Sequence, residues 1–253
     1  MRISVIRPSL LEKAEYDSTT VFVIIDTFRA TTTLSTLKDS GVKRFYVVKN
    51  KEEAGYLKQK YYPNSLLIGE EHGLKIEGFD YGNSPTALLG KKLSSKQVIF
   101  TSSNGAKTML LLEPNQNVFL AALVNLSSVS TKICDLVEKI QADILIVPAG
   151  VYENPNHYAI EDWITAVYFV EKINEKLRYS LHVQDVFWNK TKELLNSQED
   201  IGSLLIKSEA GQHLAHIGYS EDVHFALKID KHSNFLKVKK WLNFDGLKCV
   251  EIE

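Results

Sequence analysis

Apolar and polar positions follow two rhythms along the chain, short unbroken apolar runs and longer amphipathic stretches, and the two take turns. Val21 to Ile25 is the densest run, five consecutive β-branched or aromatic residues ending at Asp26; it reads as a strand buried on both faces. Arg2 to Ile6, Arg44 to Val48, Leu66 to Ile68, Gln97 to Phe100, Val118 to Leu120 and Asp143 to Val147 read as further strands. Thr31 to Lys38, Lys51 to Lys60, Gly105 to Leu112, Asn125 to Ile140 and Asp162 to Leu177 have helical composition, and Pro85 opens a short helix to Leu89 with Ser84 as its N-cap. Leu10 to Thr20 is a polar surface connection. Gln184 to Lys228 is mainly helical by pattern, with breaks near Gly202, Gly211 and Gly218. Phe235 to Glu253 is ambiguous apart from a final strand at Lys248 to Ile252.

Strands alternating with helices predict an α/β fold: an α/β/α layering around a mixed, mostly parallel sheet. Two subdomains, 1–120 and 121–253, are expected, with the site between them. In such sheets ligands bind at the carboxyl edge. If the sheet is parallel there, four polar loops converge on that edge: Asp26 to Thr33, Gly69 to Gly73, Asp80 to Ser84 and Thr101 to Gly105.

Composition narrows the partners. Thirty basic against thirty-one acidic residues leave a net charge of −1, so no broad field points to nucleic acid or to a membrane surface, and any anion site is local. No apolar run approaches the ~20 residues of a bilayer span, and no signal peptide is visible. Cys134 and Cys249 match no metal spacing and suit a reducing compartment. A cytoplasmic protein is expected, with a homodimer left open.

The loops collect groups suited to a phosphate ester. Asp26 is a potential metal ligand, Arg29 a guanidinium able to fork onto phosphate oxygens, and Thr31, Thr32 and Thr33 a helix start with hydroxyls and free amides. The alternative for this stretch is an Asp that only caps a helix, with Arg29 on the surface. Glu70, Asp80, Glu161 and Asp162 are further hard carboxylates that suit magnesium. Asn83, Ser84, Ser102, Ser103, Asn104, Gly105 and Asn125 offer hydroxyls, amides and close backbone approach to a ligand. His72 and His157 sit in polar loops, where proton transfer and simple exposure are both open. Trp163, Tyr168 and Phe169 are expected in the core.

In order and spacing, several of these residues resemble the magnesium-dependent 2-phosphosulfolactate phosphatases. The match rests on Asp26 with Arg29, Ala30 and Thr31 to Thr33; Gly69 and Glu70; the octet Gly78 to Pro85; Thr101, Asn104 and Gly105; Asn125; Ala149 and Gly150; and Glu161 with Asp162. It continues more thinly through Gly211, Gly218 and Asp222. The octet, GFDYGNSP, is its most specific piece.

The resemblance implies magnesium-dependent hydrolysis of a small anionic phosphate monoester, 2-phospho-3-sulfolactate going to 3-sulfolactate and phosphate. Asp26, Arg29 and Glu70 would be catalytic. Asp26 with one or two of Glu70, Glu161 and Asp162 would supply the metal ligands. Thr31 to Thr33, Asn83, Ser84, Ser102 to Gly105 and Asn125 would hold the substrate. Glu71 and His72 stand where the family usually has arginine after the Gly-Glu pair, which turns attention to the substrate's far end. A different phosphorylated 2-hydroxy acid, or an anion-binding protein without turnover, are the alternatives.

Overall fold

The computed structural model describes residues 1–94, 96–154, 156–183, 185–197 and 200–253. Its first half contains β1 (Arg2–Val5), β2 (Val21–Ile25), α1 (Ala30–Asp39), β3 (Arg44–Val47), α2 (Lys51–Lys60), β4 (Leu66–Glu71), β5 (Leu74–Lys75), α3 (Pro85–Leu88), β6 (Gln97–Thr101), α4 (Gly105–Leu110) and β7 (Val118–Ala121). There follow α5 (Leu126–Ile140), β8 (Ile144–Pro148), α6 (Ile160–Lys176), β9 (Ser180–His182) and α7 (Val186–Asn196). The last are α8 (Ile201–Ile206), α9 (Glu209–His216), α10 (Ser220–Ala226), β10 (Leu236–Phe244) and β11 (Leu247–Ile252).

The sheet is mixed and mostly parallel, in the order β5-β4-β6-β3-β11-β10-β7-β2-β8-β1-β9. Its hydrogen bonding runs without a break across residue 120, because β8, β10 and β11 lie among strands from the first half. β2 sits centrally between β7 and β8, with Phe22 opposite both Val118 and Leu145, which is why all five of its residues are apolar and buried.

Two parallel blocks are present, β7-β2-β8-β1-β9 and β4-β6-β3. Antiparallel pairing of β7 with β10, β10 with β11 and β11 with β3 reverses direction three times between them. The blocks therefore run in opposite senses, and the polar loops do not share one carboxyl edge as expected. They meet because the sheet bends around α1, α3 and α4: Phe22 and Ile24 of β2 and Val98 and Phe100 of β6 enter one core with Leu34, Leu37, Leu88 and Met109. The outer faces are closed separately, by α5 and α6 over the first block and by α2 over the second. Trp163 and Phe169 lie fully inside the former core and Tyr168 packs against it. At ~1.5–3 kcal/mol for each large apolar side chain fully buried, these cores hold the bend.

Several elements differ from expectation. Gly202 and Gly211 lie within α8 and α9, and the interruptions fall between those helices, with only Gly218 at a break. Gln184, where the helical stretch was expected to begin, is outside the described residues. Pro8–Lys13 forms a 3-10 turn that buries Leu11, so the Leu10 to Thr20 connection is not wholly superficial. β10 and β11 form a hairpin with Asp245 and Gly246 both at positive φ. The Asp-Gly pair is the usual sequence for that turn and marks it in hindsight.

Candidate active site

A cavity of about 570 Å³ opens between the two blocks. The turn after β2 supplies Asp26 and Arg29, β4 and its turn supply Glu70 to Gly73, and the octet supplies Asn83. The segment after β6 adds Thr101 to Asn104, and the stretch into α6 adds Gly150, His157, Glu161 and Asp162. Lys49, Lys51 and Lys107 bring positive charge, while α9 forms one wall with Glu209 and His213.

Asp26 is both cap and cavity acid. Its Oδ1 accepts the Ala30 amide at 2.9 Å, which closes the start of α1, and the Gly105 amide also donates to the carboxylate. Gly105 is needed for this contact, since Asp26 and Ala30 occupy the space that a side chain at 105 would fill. The close approach expected of Gly105 is thus made to Asp26 rather than to a ligand. Burial, reinforced by the nearby Glu70 charge, pushes Asp26 up to about 6.

Glu161 faces the same cavity. Burial, then the charges of Asp26 and Glu209, push it up to about 7. Among the described residues nothing donates a hydrogen bond to its carboxylate except its own backbone amide. Asp162 differs, for its two oxygens accept the Thr27 amide at 2.7 Å and the Gly150 amide at 3.0 Å. Burial and the Glu161 and Asp26 charges still hold it well above the usual carboxylate range. Glu70 is likewise occupied, accepting from the Ser103 amide at 2.6 Å, the Gly73 amide at 2.7 Å and the Ser103 hydroxyl.

Among the described residues, no three His, Cys, Asp or Glu side chains form a ready-made metal cage. All four carboxylates expected as metal ligands, Asp26, Glu70, Glu161 and Asp162, line the cavity, and three of them accept backbone amides from other residues. Asp26 and Glu161 are hard oxygen donors, the Asp26 charge raises the cost of ionising Glu161, and among the described residues Glu161 has no donor besides its own amide. That pair fits a small divalent cation whose remaining ligands are waters and substrate oxygens.

Arg29 lines the cavity and is buried, with Nη1 2.7 Å from Asp222 Oδ2, Nη2 donating to the Gly73 carbonyl, and its guanidinium 4.3 Å from the centre of the Tyr219 ring. The Phe28–Arg29 peptide is cis. Asn83 is buried at the cavity wall, and among the described residues nothing donates a hydrogen bond to its Oδ1. Ser102 uses its oxygen to accept the Ala106 amide at 3.0 Å, which leaves its proton for the cavity. Asn104 accepts the Tyr152 amide at 3.0 Å and so ties down the loop that carries Glu153.

Other expected ligands lie elsewhere. The Thr31 hydroxyl bonds the backbone of Asp26, the Thr32 hydroxyl bonds the Thr27 carbonyl, and the buried Thr33 hydroxyl has no partner among the described residues. None of the three lines the cavity, and the Ala30 and Thr31 amides are taken by Asp26. Ser84 caps α3 and donates to Asp222. Asn125 accepts the Ala122 amide in a 3-10 turn, and Asp80 accepts the Leu67 amide on the octet's outer side. In these places local backbone needs outcompete the ligand. His72 and His157 both reach the cavity.

A sequence profile described as 2-phosphosulpholactate phosphatase matches residues 5–240. The chain belongs to that family. It is 31% identical over 231 residues to a probable 2-phosphosulfolactate phosphatase of Carboxydothermus hydrogenoformans, covering 91% of this chain and 90% of that one. Over 220 residues it is 30% identical to the 2-phosphosulfolactate phosphatase of Methanocaldococcus jannaschii, covering 84% and 86%. A probable 2-phosphosulfolactate phosphatase of Caldanaerobacter subterraneus subsp. tengcongensis is 33% identical over 224 residues, covering 86% and 87%. Family membership spans every loop of the cavity, including the α9–α10 wall to which sequence reasoning gave no role. Among the described residues no helix is long and apolar enough to cross a membrane.

Proposed function

We propose that this chain hydrolyses 2-phosphosulfolactate to sulfolactate and phosphate, with a magnesium ion held by Asp26 and Glu161. The observation that carries the reading is the pair of buried, cavity-facing carboxylates beside a buried guanidinium, in a member of a family whose relatives bear that activity in their names. When bound, the ion would supply Lewis acidity and balance the charge on the phosphoryl oxygens.

The protein's own groups do the rest. Arg29 donates its remaining N–H groups to the phosphoryl oxygens, Asn83 and the Ser102 hydroxyl add neutral donors, and Glu70 fixes the Ser103 backbone beside them. Both Asp26 oxygens are engaged with backbone around Ala30 and Gly105, which supports water rather than Asp26 as the nucleophile. The proton that the attacking water loses is matched by the one the leaving alkoxide takes up, so the hydrolysis balances without a net proton. Lys49, Lys51 and Lys107 face the substrate's other anionic groups.

The test is phosphate release from 2-phosphosulfolactate, phospholactate and phosphoglycerate, each with and without magnesium. Magnesium-stimulated release, fastest with phosphosulfolactate, is expected. Because Glu71 pairs with Lys51 at 2.8 Å and cancels one cation of the cavity, phospholactate is the strongest competitor. Tight binding with no release from any ester would overturn the reading.

A further inference from the structure

The geometry points to Asp222 as the residue that positions the phosphate-binding guanidinium of Arg29; this rests on the role given to Arg29 above. Asp222 is fully buried and does not line the cavity. Its Oδ2 receives Arg29 Nη1, and its Oδ1 receives the Ser84 hydroxyl at 2.8 Å, the Thr86 amide at 3.1 Å and the Thr86 hydroxyl. One carboxylate thereby gathers donors from the turn after β2 and from the start of α3, while itself standing on α10.

With its oxygens so occupied, Asp222 has no capacity left for a substrate, and among the described residues its one charged partner is Arg29. A stabilising role alone explains it poorly, because a buried ion pair seldom outperforms apolar packing of equal volume. What the arrangement does achieve is to fix a long side chain. A free arginine side chain samples many rotamers, and here Asp222, the Gly73 carbonyl and the Tyr219 ring hold the guanidinium from three sides. Two of its five N–H donors are spent on Asp222 and Gly73 among the described contacts, and the others remain for phosphoryl oxygens. The octet's Ser84, with Thr86 just beyond it, thus acts on the reaction at second hand by holding Asp222.

The experiment is a double-mutant cycle on phosphate release from 2-phosphosulfolactate, using Arg29→Ala, Asp222→Asn and the pair, with inhibition by inorganic phosphate measured alongside. Asp222→Asn is expected to lower kcat by about tenfold to a hundredfold, as misplacement of a positioned group does, and to weaken phosphate inhibition. The double variant should be no slower than Arg29→Ala. Losses that multiply, or full turnover in Asp222→Asn, would overturn the inference. Should Asp222→Asn fail to fold, Thr86→Val runs the same cycle: a severalfold loss that vanishes in the Arg29→Ala background supports positioning, and a loss that persists there refutes it. Full turnover in Arg29→Ala would instead overturn the phosphate-binding role of Arg29 itself.

Discussion

Gly105 and Asp26 stand in contact across the junction of the two strand blocks: a Cβ on Gly105 would lie 2.6 Å from Asp26 Oδ2 and 2.7 Å from the Ala30 Cβ. The first residue of α4 thus presses directly on the acid at the end of β2. The position of Asp26 is set by a helix from the opposite block as much as by its own strand.

Gly105→Ala is therefore expected to push Asp26 out of place. Overpacking of this kind costs about 1–3 kcal/mol of stability, and a displaced catalytic group costs on the order of a hundredfold in rate. Circular dichroism with kinetics checks this: a folded protein with near-normal turnover would contradict the role of Asp26.

The buried acids predict how stability responds to pH. An acid whose folded pKa is raised stays protonated in the native state while it ionises in the unfolded chain. The metal-free protein should accordingly lose stability as pH climbs from about 4 to about 6 for Asp26 and about 7 for Glu161, with Asp162 extending the loss upward. Melting curves across that window should show a falling Tm, and magnesium should flatten the fall. An equal fall with magnesium present would argue against a cation at this pair.

Glu161→Gln removes the acid that, among the described residues, only its own amide holds. At pH 8 the metal-free variant should melt above the parent, by about 2–4 °C for each kcal/mol of repulsion relieved, while losing both the magnesium-dependent rise in Tm and the magnesium-stimulated turnover. Loss of activity together with loss of stability would point to a structural Glu161.

Lys51 and Glu71 are 44% and 45% exposed, so solvent screens their pairing and it contributes little to stability. Glu71→Gln should leave Tm nearly unchanged and lower KM severalfold for the substrate with the most negative charge, less so at high salt. Steady-state kinetics for phosphosulfolactate and phospholactate at two ionic strengths tests this; equal effects on both substrates would remove Glu71 from the question of specificity.

Asn125→Ala should destabilise by about 1–3 kcal/mol through the buried Ala122 amide left unpaired, with KM unchanged. A KM effect larger than the effect on kcat would return Asn125 to the binding site.

Local signals were read well from the chain because local physics made them. The β2 run, the Ser84 cap and the helix at Lys51–Lys60 depend on residues close by, and the structure has them as expected. The acids at 26, 70, 161 and 162 and the guanidinium at 29 do come together at one cavity. What could not be read was set by distance. Nothing near Thr31 to Thr33 tells whether a hydroxyl will face a ligand or the strand-end backbone, and the latter is found. Asp222, in the first turn of α10, resembles any acid that complements a helix dipole until Arg29, 193 residues away, is seen beside it. The opposed sense of the two blocks depends on β10 and β11, whose alternation is weak and whose Asp-Gly turn was the one available cue.

That hairpin has a consequence for biogenesis. A ribosome would release β2, β4, β6 and α6, with every acid of the cavity, before β10 and β11 emerge to join the blocks. A nascent chain halted ahead of Leu236 would hold all its reactive groups yet lack the seam that brings them face to face, so competence would arise late and abruptly during synthesis.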